Sequence, residues 1–255
     1  MDFVALLTPD GLAPWAAVLL IAVAGFTSAM TAAFGIGGGL LLIAVMIPLV
    51  PISALVPVHG VVQLGSNTGR LVLQARHLRL DILTWFTLGA IGGGVAGGLL
   101  VVDLPETALK LGVGLFVLWS VWGKMPKIGA ESRLLLGVGG AASTLLTMFV
   151  GATGPFVMAL YTGAALTKNE LVALFAGSMF VQHLLKIVVF GALGFAFAEW
   201  LPLALAMVLA GFAGTVVGTR VLSLLPEKVF RTGLKALLTL IGLHLVLSAG
   251  ATLID

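Results

Sequence analysis

The sequence predicts an all-α integral membrane protein built from two inverted repeats of transmembrane helices, and three observations carry that prediction. First, 60% of the 255 residues are hydrophobic and 9% are charged, where a water-soluble domain carries roughly 25% charged residues. So little charge cannot cover a surface in water; lipid is the consistent solvent, and the mean hydropathy of +1.20 agrees. Second, apolar runs of about the 20 residues that a bilayer crossing takes recur along the chain. Third, the sequence matches itself at a nearly constant shift through glycines, prolines and charges together.

The long runs lie near 13–34, 54–75, 82–102, 106–123, 134–150, 169–194, 200–221 and 229–250, giving about eight long helices. The first, from Pro14 to Phe34, follows Asp2 and Asp10 instead of a basic leader and is longer than a signal-peptide core, so it is expected to be a retained helix. Two shorter apolar pieces remain, near 39–50 and 155–165. Each follows a glycine-rich break: Gly35-Ile36-Gly37-Gly38-Gly39 in one case, Gly151-Ala152-Thr153-Gly154-Pro155 in the other. A helix of about eleven residues covers about 16 Å, half the hydrocarbon thickness, so these pieces are expected to be half-helices.

A shift of 116 residues lays Gly35 on Gly151, Gly38 on Gly154, Asn67 on His183 and Arg70 on Lys186. After an insertion of five residues the shift becomes 121, and Leu104-Pro105-Glu106 falls on Leu225-Pro226-Glu227, Gly93 and Gly97 on Gly214 and Gly218, and Lys110 on Arg231. The halves are therefore 1–123 and 134–255, with 124–133 as a cytoplasmic linker. Basic residues are retained in cytoplasmic loops. Arg76 and Arg79, then Lys124, Lys127 and Arg133, then Arg220, Lys228, Arg231 and Lys235 mark that side, whereas Asp103 with Glu106, and Glu199, mark loops poor in Lys and Arg. Matched loops carry opposite signatures, which predicts inverted repeats, an arrangement whose substrate site lies between the repeats near the midplane.

Composition also excludes classes. With no cysteine there is neither a disulfide framework nor a thiolate metal site. The net charge of +3 comes from short breaks between apolar runs instead of a clustered basic face, so nucleic acid is not an expected partner. No GxxxxGK[ST] phosphate loop occurs. No nucleophile, metal cluster or carboxylate pair falls inside an apolar run, so no catalytic residue, metal or cofactor is expected and the chain does not read as an enzyme.

The informative residues are charges within the apolar runs. Arg70 and Lys186 are embedded, while all ten acidic residues fall at loops, helix ends or termini. A central cation costs at least about 2.5–3.5 kcal/mol on insertion scales, so a water-filled cavity or an anionic ligand is needed to compensate. For Arg70 the competing reading is snorkelling toward the headgroups near Arg76. His59 and His183 have polar neighbours inside apolar runs and are candidates for proton transfer or for hydrogen-bonded packing. The breaks at Gly37, Gly38, Gly39, Thr153 and Gly154 suit anion binding: glycine lets the backbone turn without obstruction, and a helix starting there presents free N–H groups and a positive dipole end. Close helix packing through small residues is the other reading, and it is preferred for the runs Gly92 to Gly98 and Gly211 to Gly218. Gln63, Ser66 and Asn67, with Ser178 and Gln182, complete the candidate set, either as substrate contacts or as polar pairs between helices.

These motifs resemble the TauE/SafE family of sulfite exporters. The resemblance rests on Gly35 to Gly39 followed by an apolar half-helix and a turn with Pro48 and Pro51, on the Gly151 to Pro155 break, on the basic loop after the second long helix, and on the Gly-rich helix before Leu104-Pro105-Glu106. It implies a bacterial inner-membrane, multi-pass secondary transporter that exports sulfite or an organosulfonate by alternating access at a cationic site. The alternative is an anion channel, or a carrier of another small anion such as sulfate or thiosulfate. The expected partners are the small anionic substrate and the lipid bilayer, with a homodimer allowed.

Overall fold

The computed structural model describes residues 7–34, 37–101, 105–123, 132–161, 165–221 and 227–254. Within them the chain is helical throughout: α1 Pro14–Phe34, α2 Gly38–Met46, α3 Ile52–Gln74, α4 Leu80–Val101, α5 Glu106–Trp122, α6 Arg133–Val150, α7 Gly154–Tyr161, α8 Lys168–Ala192, α9 Phe197–Val221 and α10 Glu227–Ile254, with a single 3₁₀ turn at Ala75–His77. The two short helices, of 9 and 8 residues, stand where the glycine breaks predict them. The first is shorter than expected. It stops because Pro48 lacks the N–H that would continue it. Among the described residues, five helices are long and apolar enough to cross a membrane: α4, α6, α8 and most of α1 and α9.

Burial is inverted relative to a protein in water. Leu99, Leu134 and Leu247 are 73%, 74% and 70% exposed, while Thr27, Ser143, Thr144, Gln182 and Lys186 are sealed inside. In water such an apolar exterior would be a very large exposed patch. Against lipid tails it costs nothing, and the polar groups must find partners within the protein. The acidic side chains follow the same logic. Asp81 and Glu170 stand in the first turns of α4 and α8, where a negative charge meets the positive end of the helix dipole. Glu170 also closes a capping box with Thr167.

Helix pairing has a symmetry that the sequence repeat anticipates. The closest pairs are α4 with α6, α1 with α9, α3 with α8, and α5 with α10. Matching α1–α5 to α6–α10 in order exchanges the first two pairs and maps each of the others onto itself. The α4–α6 and α1–α9 contacts are also alike in detail. A Cβ on Gly93 would fall on the carbonyl of Ala141, and one on Gly214 would fall on the carbonyl of Gly25. These are matched positions under the two shifts, so the same close backbone crossing is made twice. The glycine runs thus pack helices, as read from sequence for Gly93, Gly97, Gly98, Gly211 and Gly214. Gly92 faces open space, and the Gly218 side, the 124–131 linker, the 102–104 loop and the 222–226 loop lie outside the described residues.

Candidate functional site

A small cavity of about 30 Å³ sits where the two breaks meet α3 and α8. That is room for about two waters. Its wall includes Gly37, Gly39, Thr153, Gly154 and Pro155 from the breaks, His59, Gln63, Asn67 and Arg70 from α3, and Phe175, Met179 and His183 from α8. The spacing of each helical stripe is one turn, so His59, Gln63 and Asn67 share one face, and Phe175, Met179 and His183 share another. The shift of 116 lays the first stripe on the second, and Gly37 and Gly39 on Thr153 and Pro155. Matched positions of both halves therefore enclose one space.

Each short helix opens in the same way. The N–H of Leu41 donates to Gly37 O at 3.0 Å, and the N–H of Val157 donates to Thr153 O at 3.1 Å. Gly37 adopts φ 103° before α2, and Gly151 adopts φ 78° after α6, left-handed conformations that favour glycine. The N–H groups of the first turn are left without helical acceptors beside the cavity. Gly35 and Ile36 of the first break lie outside the described residues.

Both embedded cations have neutral partners. Arg70 is half-buried, lines the cavity and donates from Nη2 to Asn67 Oδ1 at 2.9 Å, so it is held inward instead of snorkelling free. Lys186 is 0% exposed. Its Nζ donates to Gly151 O, the carbonyl of the break glycine, and lies 3.5 Å from His183 Nδ1. Each cation thus meets the side chain three residues before it, in matched fashion. Among the described residues no carboxylate comes within ion-pair reach of either. Arg79, exposed immediately before α4, pairs instead with Asp81 at 2.8 Å and Glu170 at 3.5 Å. These carboxylates, Asp81 foremost, raise that guanidinium further above its ordinary range.

His59 bonds Gly39 O through Nε2 at 2.9 Å, its ring lies 5.8 Å from that of His183, and its Nδ1 has no partner among the described residues. The remaining candidates stand behind the wall. Gln182 accepts from Thr153 Oγ1 at 3.1 Å and donates to Ser143 Oγ at 2.9 Å and Thr144 Oγ1 at 3.2 Å, which tethers the start of α7 to α6. Ser178 bonds the Tyr161 hydroxyl at 2.6 Å, and Ser66 is half-buried outside the lining. Polar pairing between helices accounts for Gln182 and Ser178. At Gly38 a Cβ would meet Thr31 Oγ1 and the Thr27 carbonyl of α1.

Sequence reasoning passed over Thr31, Phe175 and Met179, which line the cavity, and a buried hydroxyl set that was legible. Thr27, Ser28 and Thr31 of α1 stand 116 residues before Ser143, Thr144 and Thr147 of α6, and all six are buried. Among the described residues no group of three or more His, Cys, Asp or Glu is placed to hold a metal ion.

Neither the curated proteins nor the solved structures include a match. The family model described as sulfite exporter TauE/SafE matches residues 18–245. With a fold of several long apolar helices and a family model spanning most of its length, the chain belongs to the TauE/SafE sulfite exporter family.

Proposed function

We propose that the protein is a secondary transporter that exports a small sulfur oxyanion, sulfite or an organosulfonate, across a bacterial inner membrane. It works by alternating access to the cavity between two inverted repeats. One observation carries this reading: matched positions of both halves enclose a cavity holding Arg70, with no carboxylate among the described residues to neutralise it. A guanidinium with donors to spare and two half-helix starts suits an oxyanion, because charge-assisted bonds and backbone N–H groups both favour one. A cation would meet only repulsion there. Inversion is supported by the opposite charge signatures of matched loops.

Energetics permit export without a coupling ion. An anion leaving a negative interior gains about 2.3 kcal/mol per charge per 100 mV. The test is efflux from proteoliposomes loaded with sulfite, sulfoacetate, taurine, thiosulfate or sulfate, under an imposed potential. Saturable efflux of a sulfur oxyanion, with counterflow and dependence on Arg70, is expected. Flux without counterflow would make the protein a channel, and preference for a cation would overturn the reading.

A further inference from the structure

Arg70, in the cavity wall, and Lys186, buried behind His183 of that wall, differ in a way that their matched positions do not require. Arg70 is paired with Asn67, and neither side chain changes its charge near neutrality. Lys186 is paired with His183, and both can. A guanidinium keeps its proton in a protein; an amine can release one.

The contacts at Lys186 accommodate two states that differ by one proton. As an ammonium, Nζ donates to Gly151 O and to a bare His183 Nδ1, with the ring hydrogen on Nε2. As an amine, Nζ still donates to Gly151 O and accepts from Nδ1–H of the same ring. Heavy atoms need not move between the two. The groups around this pair are His59 and Arg70 from α3 and, more than a turn away, the Tyr161 hydroxyl of α7 against Ser178. Among the described residues, α4 and α6 bring no titratable side chain to it, and no acidic group faces it. Among the described residues, therefore, nothing fixes the ammonium. A negative ligand in the cavity, against His183, would.

Resting on the transport reading above, we infer that Lys186 and His183 share one proton that is taken up with a doubly charged anion and released when the anion leaves. Arg70 balances the first negative charge and the shared proton the second. The proton comes from water on the side the anion enters, forms an N–H bond on Lys186, and returns to water on the side of exit. No bond to the anion is made. A dianion then crosses with one proton, and the cycle moves one charge less than the anion carries.

The test is calorimetry of sulfoacetate binding to the purified full chain in buffers of different ionisation enthalpy, from mildly acidic to mildly alkaline pH. Both charges of that probe are fixed near neutrality, so any proton counted belongs to the protein. Uptake approaching one proton per anion is expected where the empty pair is deprotonated, falling away at more acidic pH. Lys186→Arg, permanently charged, should bind without uptake, and His183→Gln should reduce it. Saturable binding with no uptake at any pH in the unaltered protein overturns the inference, whether or not the variants fold, as does unchanged uptake in Lys186→Arg. Failure to bind sulfite or sulfoacetate at all overturns the transport reading itself, and this inference falls with it.

Discussion

Gly38 and Gly154 begin α2 and α7 at matched positions, yet a methyl group added at each meets different surroundings. At Gly154 its nearest neighbour is Phe175 Cζ at 3.5 Å, an ordinary contact with a ring that itself lines the cavity. At Gly38 it collides with the Thr27 carbonyl, and backbone of a packed helix cannot swing aside. Replacing a helical glycine by alanine gains roughly 0.5–1 kcal/mol of backbone entropy. Overpacking costs typically about 1–3 kcal/mol. Gly154→Ala should therefore leave ligand-free stability level or slightly raised, while Gly38→Ala should lower it. For the ligand the order reverses. In a cavity with room for about two waters, narrowing the wall by a methyl should weaken anion binding at Gly154 by at least about tenfold, or 1.4 kcal/mol. Melting curves of both purified variants, with and without sulfite, read the two quantities together. A Gly154→Ala variant with a lowered ligand-free melting point and full sulfite stabilisation would refute the assignment of this glycine to the site. A Gly38→Ala variant that melts like the parent would refute the close contact with α1.

The other expectations are briefer. Arg70→Gln should cost about 1.5–3 kcal/mol of anion affinity, more than tenfold, in a binding isotherm; an unchanged affinity would return Arg70 to a structural role. Cysteines placed singly at Arg79 and Glu199, both exposed, should react from opposite sides of the membrane, and reaction from the same side would end the inverted arrangement. Gly93→Ala should lower the melting point, because its Cβ falls on the Ala141 carbonyl, while Gly92→Ala, which faces open space, should not. Gln182→Ala strips partners from Thr153, Ser143 and Thr144 and should cost about 1–3 kcal/mol of stability; its sulfite affinity separates a tether from a direct contact.

Helix positions were legible because apolar runs of membrane length leave few alternatives, and the observed ends fall within a few residues of the sequence reading. The exceptions have local causes, as at Pro48, which ends α2 early. The stripe His59, Gln63, Asn67, Arg70 was legible too, since polar residues one turn apart in an apolar run share a face. Its counterpart was not. Phe175 and Met179 are ordinary in a membrane helix, and nothing but their alignment with His59 and Gln63 sets them apart. Gly38 was legible only as a close approach. Glycine permits a close approach without saying to what, and here it approaches α1.

The two breaks are fastened differently. In the second half, Gln182 bridges Thr153 to Ser143 and Thr144, so side-chain hydrogen bonds tie the start of α7 to α6. In the first half the residue matched to Gln182 is Ser66, which is too short for that reach. There Gly38 rests directly on Thr27 and Thr31 of α1, the residues matched to Ser143 and Thr147. The half-helix start is held to the preceding long helix in both halves, by backbone proximity in one and by a glutamine bridge in the other. The two solutions leave different space in front of them. Backbone proximity draws α2 against α1 and leaves the cavity wall to Gly37, Gly39 and the polar stripe of α3. The bridge keeps its amide behind Thr153 and leaves that wall to Pro155, Phe175 and Met179. A symmetric frame thus encloses a cavity polar on its α3 side and largely apolar on its α8 side. For an anion bound there, one charged group belongs toward Arg70 and the apolar part toward Phe175 and Met179.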